Sequence, residues 1–468
     1  MDLDKNSRIG IWGFGIVGKS AAEYFYNQGH QVSIMDKRIP TAQEAEYLKT
    51  KNITWRSENE QETFFNSCEI IIPSPGINIS QQHYATHRNK WLHELDIFYH
   101  NFHKPIIAVT GSIGKTSTVH LLGQLFKTLS IPAVVGGNIG IPMLDLIPAQ
   151  NDVDYAILEV SSFQLLYCTH FAPQLAILTN VYPNHLDHHT TEAEYFSAKQ
   201  NIFRYQKDTS ISLLPFILRT KSIKPANEHI RAYFTVVKPH DHELAQLTAS
   251  ERVYYIENNT VMRFAGNTHT HIFTLTPELF NFSFIDNILL LTSVCDLIHI
   301  DAHALQTVAT TTILPEHRVE KISTFNSIDF YNDSKATTTA STLAAVEKLH
   351  HHPLHLFIGG LSKGVDRAPF IAQLKSKVKR IYCFGQEANA LYTMCINNGI
   401  PASHHPTLED AINKCFSMLS PHDCVVLSPA GSSYDLYENY EERGKHFKKL
   451  VMDYIHTHTS DGYTDTNK

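Results

Sequence analysis

The chain has 468 residues, enough for about three domains of ordinary size, each with its own core. It is 43% apolar and 18% charged, and its formal charge of -7 with a pI near 6.5 argues against a nucleic-acid binder held by a basic surface. No apolar run approaches the roughly 18 residues of a membrane span, and the start, "MDLDKNSRIG", lacks the basic-then-apolar order of a secretory signal, so neither is expected.

Short β-branched runs alternate with amphipathic stretches along most of the sequence, the pattern of parallel βαβ units. The first block offers "RIGIW", "QVSIMD" and "CEIIIPSPG" as strands and runs to a boundary near Pro105. Its loop "GFGIVG", residues 13–18, follows a strand and opens a helix, as a diphosphate-binding loop requires. Asp36 ends the next strand, where an acidic residue meets a ribose or base. A tight strand-to-helix turn without ligand is the competing reading of this loop.

The second block holds "IIAVTG", "YAILEV" and "LAILTN" as strands. Between the first of these and a helix lies "VTGSIGKTST", where Gly114, Lys115 and Thr116 supply the glycine, ammonium and hydroxyl that a P-loop turns toward β/γ-phosphates and Mg²⁺. Val109 stands in place of the usual first glycine. The helix is expected to bury Val119, Leu122, Leu125, Phe126 and Leu129 on one face. Glu159 ends a strand, where a carboxylate can hold a metal; His185 and Asp187 lie just past another, and Lys199 follows in "YFSAKQ". Residues 207–282 read differently, with short strands and polar turns and few chemical signals.

The third block carries "LPEHRVE", with His317 and Arg318, and "FYNDSKATTT", with Asp333, Lys335 and Thr337. "DFYNDS", "LHLFIGG", "RIYCFG" and "CVVLSPAG" are its expected strands. Seven cysteines without a C-x-x-C pair favour free thiols in a reducing cytoplasm. The "HHH" of residues 350–352, in a loop-like stretch before Pro353 and read as having no carboxylate partner nearby, is not expected to hold a metal. So many polar residues at strand ends, in a chain that already has a P-loop, point to ligands bound beyond the carboxyl ends of parallel strands. The fold expected is α/β in three domains: a Rossmann-like N-terminal domain (1–103), a central P-loop ATPase domain with a parallel sheet (104–313), and a Rossmann-like C-terminal domain (314–468).

The motifs "SPGI", "TGSIGKTS", "GGNIGIP", "EVSSFQL", "NHLDHH", "LPEHRVE", "NDSKATTT", "GGLSKGVD" and "LSPAGSSYDLYENYEERGKHF" follow one another over almost the whole chain. In that order they resemble the Mur ligase family, the ATP-dependent ligases that build the peptide stem of peptidoglycan, and within it the branch that adds D-glutamate. The resemblance implies that the first loop holds the UDP of a nucleotide-linked sugar and the second holds ATP. It implies donor contacts at Asp36, Arg38, Ser74, Gly76, Gly137, Asn138, Ser162 and Gln164. ATP would be held by Gly111, Ser112, Gly114, Lys115, Thr116, Ser117, Asn287, His317, Arg318, Asp333 and Lys335, and Mg²⁺ by Thr116, Glu159, His185 and Lys199. Lys199 matches a lysine that the family carries as a carbamate. Thr337, Lys363, Ser433 and Tyr440 match the D-glutamate pocket, and Lys115, His185 and Lys199 the catalytic positions.

The implied reaction activates the L-alanyl carboxylate of UDP-N-acetylmuramoyl-L-alanine with the γ-phosphate of ATP and then joins it to the amine of D-glutamate. For this the third domain should close over the second. The partners expected are these small molecules, handled by a cytoplasmic monomer with no nucleic acid and no membrane. Ile113, Asn184, Phe284 and Val17 depart from the family pattern. Two alternatives stay open within the family: a ligase adding another amino acid, and a degenerate nucleotide-binding paralogue. A nicotinamide-dependent oxidoreductase would use the first loop but leave the second loop, Glu159 and Lys199 without a role. A scaffold protein would not need "NDSKAT" or "LSKG".

Overall fold

The computed structural model describes residues 6–79, 82–185, 188–189, 191–221, 230–312, 315–362 and 364–460. Three sheets follow one another along the chain. The first is all parallel, with β1 (Arg8–Trp12), β2 (Gln31–Asp36), β3 (Thr54–Ser57) and β4 (Ile70–Pro73) in the order β3-β2-β1-β4. The helix Ile16–Asn27 leaves β1 so tightly that a Cβ on Gly18 would lie 1.9 Å from the carbonyl oxygen of Gly13. Only glycine fits that approach.

The central sheet has nine strands: β5 (Ile106–Thr110), β6 (Ala133–Gly137), β7 (Tyr155–Glu159), β8 (Leu175–Leu178), β9 (Ile211–Pro215), β10 (Ile230–Thr235), β11 (Glu251–Glu257), β12 (Thr260–Ala265) and β13 (Thr268–Thr274). Their order is β13-β12-β11-β10-β9-β8-β5-β7-β6, parallel from β11 to β6 and antiparallel through β12 and β13. The stretch that reads differently in sequence, residues 207–282, therefore extends the same sheet. The helix after the P-loop, Lys115–Thr128, buries Val119, Leu122, Leu125 and Phe126 as expected; Leu129 falls one residue beyond its end and is half-buried.

The third sheet contains β14 (Glu320–Phe325), β15 (Ile328–Asn332), β16 (Leu354–Gly359), β17 (Arg380–Phe384), β18 (Ala402–His405) and β19 (Cys424–Leu427), in the order β14-β15-β19-β16-β17-β18. All pairs are parallel except β14 with β15. Alternate residues feed two cores, one with Leu356, Ile358 and Val426, the other with Phe357, Val425 and Leu427, so both faces are covered as a parallel sheet requires.

The chain packs as two compact units, residues 1–181 with 193–312, and residues 182–192 with 313–468. In the first unit one apolar core runs from Ile9, Ile11 and Ile34 through Phe98 and Phe102 to Ala108, Leu158 and Leu178, joining the first two sheets. All seven cysteines are free and buried. The expectation of no carboxylate near the histidines does not hold: Glu347, three residues before His350, lies 3.9 Å from it, although Lys377 pairs with that carboxylate. Among the described residues no helix is long and apolar enough to cross a membrane.

Candidate active site

In the first unit the carboxyl ends of β5, β7 and β8 lie side by side, since Val109 is in register with Glu159 and Thr110 with Leu178. Gly111 leaves β5 at φ +149°, and a Cβ there would sit 1.9 Å from Thr179 Oγ1; Gly114 caps the helix Lys115–Thr128 at φ +85°. The glycines at these two points let the loop fold over the helix N-terminus, leaving helix N–H groups to face an anion. Ile113, which departs from the family pattern, keeps the loop closed through its backbone. Its N–H donates to Asn180 Oδ1 (3.0 Å), and its carbonyl accepts from Thr179 Oγ1 (2.7 Å) and Asn180 Nδ2 (3.1 Å). Ser112 pairs with the Tyr195 hydroxyl at 3.1 Å, and Lys115 donates to the carbonyls of Gly111 (2.8 Å) and Ser112 (3.2 Å). Thr116 and Ser117 follow in the first turn of the helix, and Asn287 Oδ1 would lie 3.7 Å from a Cβ on Gly114.

Lys199 belongs to the buried stripe of the helix Glu192–Arg204, one turn past Tyr195, whose ring centroid is 4.6 Å from its Nζ. It too donates to the Gly111 carbonyl, at 2.8 Å. Burial holds its ammonium well below the ordinary lysine value, Lys115 pushes the same way, and Glu159 opposes both. Glu159 is buried; its Oε1 accepts from Asn138 Nδ2 at 2.9 Å, and its Oε2 is buried without a partner. An unsatisfied buried carboxylate oxygen beside a phosphate-type loop suits a hard divalent cation, so Glu159 fits Mg²⁺.

The glycine loop of the first sheet and the loop after β6 line one pocket of about 420 Å³, with Gly13, Asp36, Ser74, Gly76, Gly137, Asn138 and Gln164 in its walls. Ser74 Oγ donates to the Gly13 carbonyl (3.0 Å), which ties the turn after β4 to the glycine loop. Ser162 opens the short buried helix Ser162–Leu166 beside Gln164. The two donor-side residues at the end of β2 are more occupied than the sequence suggests. Asp36 accepts the Phe14 N–H (2.6 Å), and Arg38 is held by Glu44 (2.6 and 2.9 Å) and the Phe14 carbonyl (2.9 Å). Arg38 braces the loop and does not line the pocket.

In the second unit His317 (φ +64°) is buried; its ring meets Asn332 Nδ2 at 2.7 Å, and its backbone N–H donates to Glu320 Oε2 at 3.0 Å. Its ring also lies edge-on to Tyr440 with centroids 6.2 Å apart, and Lys335 Nζ sits 4.9 Å from the Tyr440 centroid. Asp333 accepts from Ser428 Oγ (2.7 Å) and the Val319 N–H (3.2 Å), and burial lifts its carboxyl to about 7, against the pull of those bonds and of Arg318 and Arg443. His317, Arg318, Asp333, Lys335 and Tyr440 are thus one cluster. Thr337 and Ser433 do not cap helices: Thr338 caps the helix Thr339–Leu349, and the Ser433 carbonyl closes a turn onto Leu436 and Tyr437. His185 turns at φ +57° with its N–H on Asn184 Oδ1 (3.0 Å). Lys363 and Asp187 lie outside the described residues.

Three family models match in succession: a Mur ligase MurD-like N-terminal domain over residues 7–92, a Mur ligase middle domain over 109–282, and a Mur ligase glutamate ligase domain over 317–431. A UDP-N-acetylmuramoylalanine--D-glutamate ligase of Acetivibrio thermocellus is 30% identical over 465 residues, 96% of each chain. The chain belongs to the Mur ligase family. A ligase of the same name from Caldanaerobacter subterraneus subsp. tengcongensis is 29% identical over 96% of this chain and 99% of its own. Among solved structures, MurF from Acinetobacter baumannii shares the fold with a TM-score of 0.58 at 14% identity, over 91% of this chain and 90% of that one. A pseudomurein peptide ligase type C from Methanothermus fervidus does so with a TM-score of 0.56 at 15% identity, over 96% and 100%. As a Mur ligase the chain is an ATP-dependent, ADP-forming ligase.

Several residues that shape this Mur ligase's sites carry no signal of their own in the sequence. Asn180, Thr179 and Tyr195 hold the phosphate loop from 66 or more positions away. Arg443, fully buried, ties the last helix to the Ser334 hydroxyl and carbonyl and to the Gly431 carbonyl. Its only sequence hint is the "RG" of the final motif.

Proposed function

We propose that this chain joins the amine of D-glutamate to the L-alanyl carboxylate of UDP-N-acetylmuramoyl-L-alanine, as a cytoplasmic monomer in peptidoglycan precursor synthesis. On this reading residues 1–103 carry the UDP-sugar site, 104–313 the ATP site and 314–468 the amino-acid site. The observation that carries it is the common wall of two ligand stations: Asn138 lines the double-glycine-loop pocket and hydrogen-bonds Glu159, whose free oxygen lies by the P-loop. A donor diphosphate would rest on the glycine turns at residues 13–18 and 137–140, with its acyl end directed to Glu159 and Lys115.

Lys115 would move from the loop carbonyls to the β/γ-phosphates, and bound Mg²⁺ would offset charge on the transferring phosphoryl group. Lys199 is proposed to act as a carbamate, formed when its neutral amine adds to CO₂ and loses a proton. Its buried, depressed ammonium favours the neutral amine. His185 would orient the reacting groups. His317, Arg318, Asp333 and Lys335 would contact ATP, while Thr337, Lys363, Ser433 and Tyr440 bind the acceptor's two carboxylates and their flanks.

The test is release of ADP and phosphate from ATP with UDP-N-acetylmuramoyl-L-alanine and each of D-glutamate, L-glutamate and L-alanine. Turnover with D-glutamate alone is expected; turnover with L-alanine or none at all would overturn the assignment. For Lys199, ¹³C-bicarbonate should give a carbamate carbon signal that is lost in Lys199→Ala. That variant should be inactive and partly rescued by a short carboxylate in solution.

A further inference from the structure

Next to the glycine-loop pocket is a second, small cavity of about 10 Å³, room for about one water. Ser74, Pro75, Phe163 and Gln164 line both. The small cavity is also lined by Glu94, the first residue of the helix Glu94–Asn101 and only 3% exposed. Its Oε2 accepts from Gln164 Nε2 at 3.1 Å, whereas its Oε1 is buried without a partner. The other end of the Gln164 amide is also fixed, since Oε1 accepts both the Ser161 N–H and the Ser161 hydroxyl at 3.0 Å. The amide therefore cannot rotate, and one Nε2 hydrogen is left over.

A carboxyl kept only for the fold would be expected to have both oxygens satisfied. Burial instead raises this one to about 7, against its bond from Gln164 and the weaker pull of the Met143 backbone N–H, and its Oε1 makes no hydrogen bond of good geometry. Such a group is costly to keep unless what it holds is useful. What it holds is the amide in the pocket wall.

We propose that Glu94 is a positioning residue for the nucleotide-linked donor: it locks Gln164 so that the remaining amide hydrogen faces the pocket, and so sets donor affinity without touching the donor. The inference rests on the assignment of this pocket to the donor under the proposed function. Glu94 takes no part in phosphate or acceptor binding, so its removal should separate donor binding from catalysis.

The experiment measures donor Kd by calorimetry, and kcat with KM for all three substrates, in Glu94→Ala, Glu94→Gln, Gln164→Ala and the Glu94→Ala/Gln164→Ala pair. Loss of one charge-assisted bond predicts a rise of about tenfold in donor Kd and KM for Glu94→Ala. Its kcat and its KM for ATP and D-glutamate should stay within about twofold. Glu94→Gln keeps an acceptor and should stay within about threefold of wild type. Because Glu94 acts through Gln164, the pair should bind donor no more weakly than Gln164→Ala alone. Additive losses in the pair, an unchanged donor Kd in Glu94→Ala, or equal changes in all three KM values would overturn the proposal. Should Glu94→Ala not fold, Glu94→Met keeps the volume, drops the acceptor and is read in the same way. A wild-type chain that does not bind UDP-N-acetylmuramoyl-L-alanine would overturn the pocket assignment and the proposal with it; wild-type binding with an indifferent Glu94 overturns the proposal alone.

Discussion

Asp333→Asn should make the ligand-free protein more stable, and the gain should grow with pH. The native Asp333 carboxyl is buried, and burial lifts it from 3.8 to about 7. A carboxyl whose folded pKa exceeds its unfolded value keeps a proton in the native state that the unfolded chain has already lost. Its contribution is therefore most favourable below about pH 4 and is lost as pH rises to about 7, where it levels off. At about 1.4 kcal/mol for each pH unit of separation, the full penalty is about 4 kcal/mol near pH 8 and about 1.5 kcal/mol near pH 5. Asparagine has the same shape and can still accept from the Val319 N–H. The Ser428 hydroxyl, 3.0 Å from Thr342 Oγ1, can turn to accept from the new amide. Urea unfolding followed by far-UV circular dichroism, from about pH 5 to about pH 8, reads the effect. All three tryptophans, Trp12, Trp55 and Trp91, belong to the first unit, so tryptophan fluorescence should move less than the dichroism signal. A variant less stable than wild type at pH 8, or a gain that does not change with pH, would refute the reasoning. Ligase activity should fall in the same variant, since the charge is proposed to serve the ATP site.

Three other outcomes are expected. Lys115→Ala should lower kcat by about a hundredfold to a thousandfold, the usual scale for removing one stabilising donor, while donor Kd measured by calorimetry stays unchanged; near-normal turnover would sink the P-loop assignment. Gly18→Ala would put a methyl 1.9 Å from a backbone oxygen that cannot move aside; a loss of at least about 2 kcal/mol in a urea titration is expected, together with weaker donor binding. Lys363→Ala should raise the KM for D-glutamate roughly tenfold to a hundredfold and leave that for ATP alone, and the opposite pattern would move Lys363 to the nucleotide site.

Strands at sheet centres could be read from the sequence because burial on both faces demands continuous apolar residues, as in "IIAVT" of β5 and "CVVL" of β19. Two short, half-exposed edge strands could not. β3 ("TWRS") and β18 ("ASHH") are half-exposed and four residues long, so neither periodicity nor apolar content sets them apart from loop. At the P-loop, residues contiguous in sequence stay contiguous in space, and Gly111, Gly114, Lys115 and Thr116 stand where the pattern puts them. Arg38 shows the limit of such reading. Its fork is taken by Glu44, which is fixed in place by the capping box that Thr41 forms at the start of the helix Ala42–Thr50. That competition depends on two elements docking, which a motif cannot encode. The link between Asn138 and Glu159 spans 21 positions and was equally hidden.

That link has a thermodynamic consequence. Asn138 donates to Glu159 twice, from its backbone to the Glu159 carbonyl and from its side chain to the carboxylate, both at 2.9 Å. The wall of one pocket and the carboxylate of the other are thus a single stiff piece across neighbouring strands. On the proposed function, a sugar nucleotide that narrowed the motion of residues 137–140 would also narrow that of the carboxylate and lower the entropy a cation must give up on binding. Linkage is symmetric, so the cation must strengthen sugar-nucleotide binding by the same factor. On the proposed function, positive cooperativity between sugar nucleotide and cation is expected from the two bonds of one asparagine, with no change of shape, and the binding of each measured with and without the other checks it.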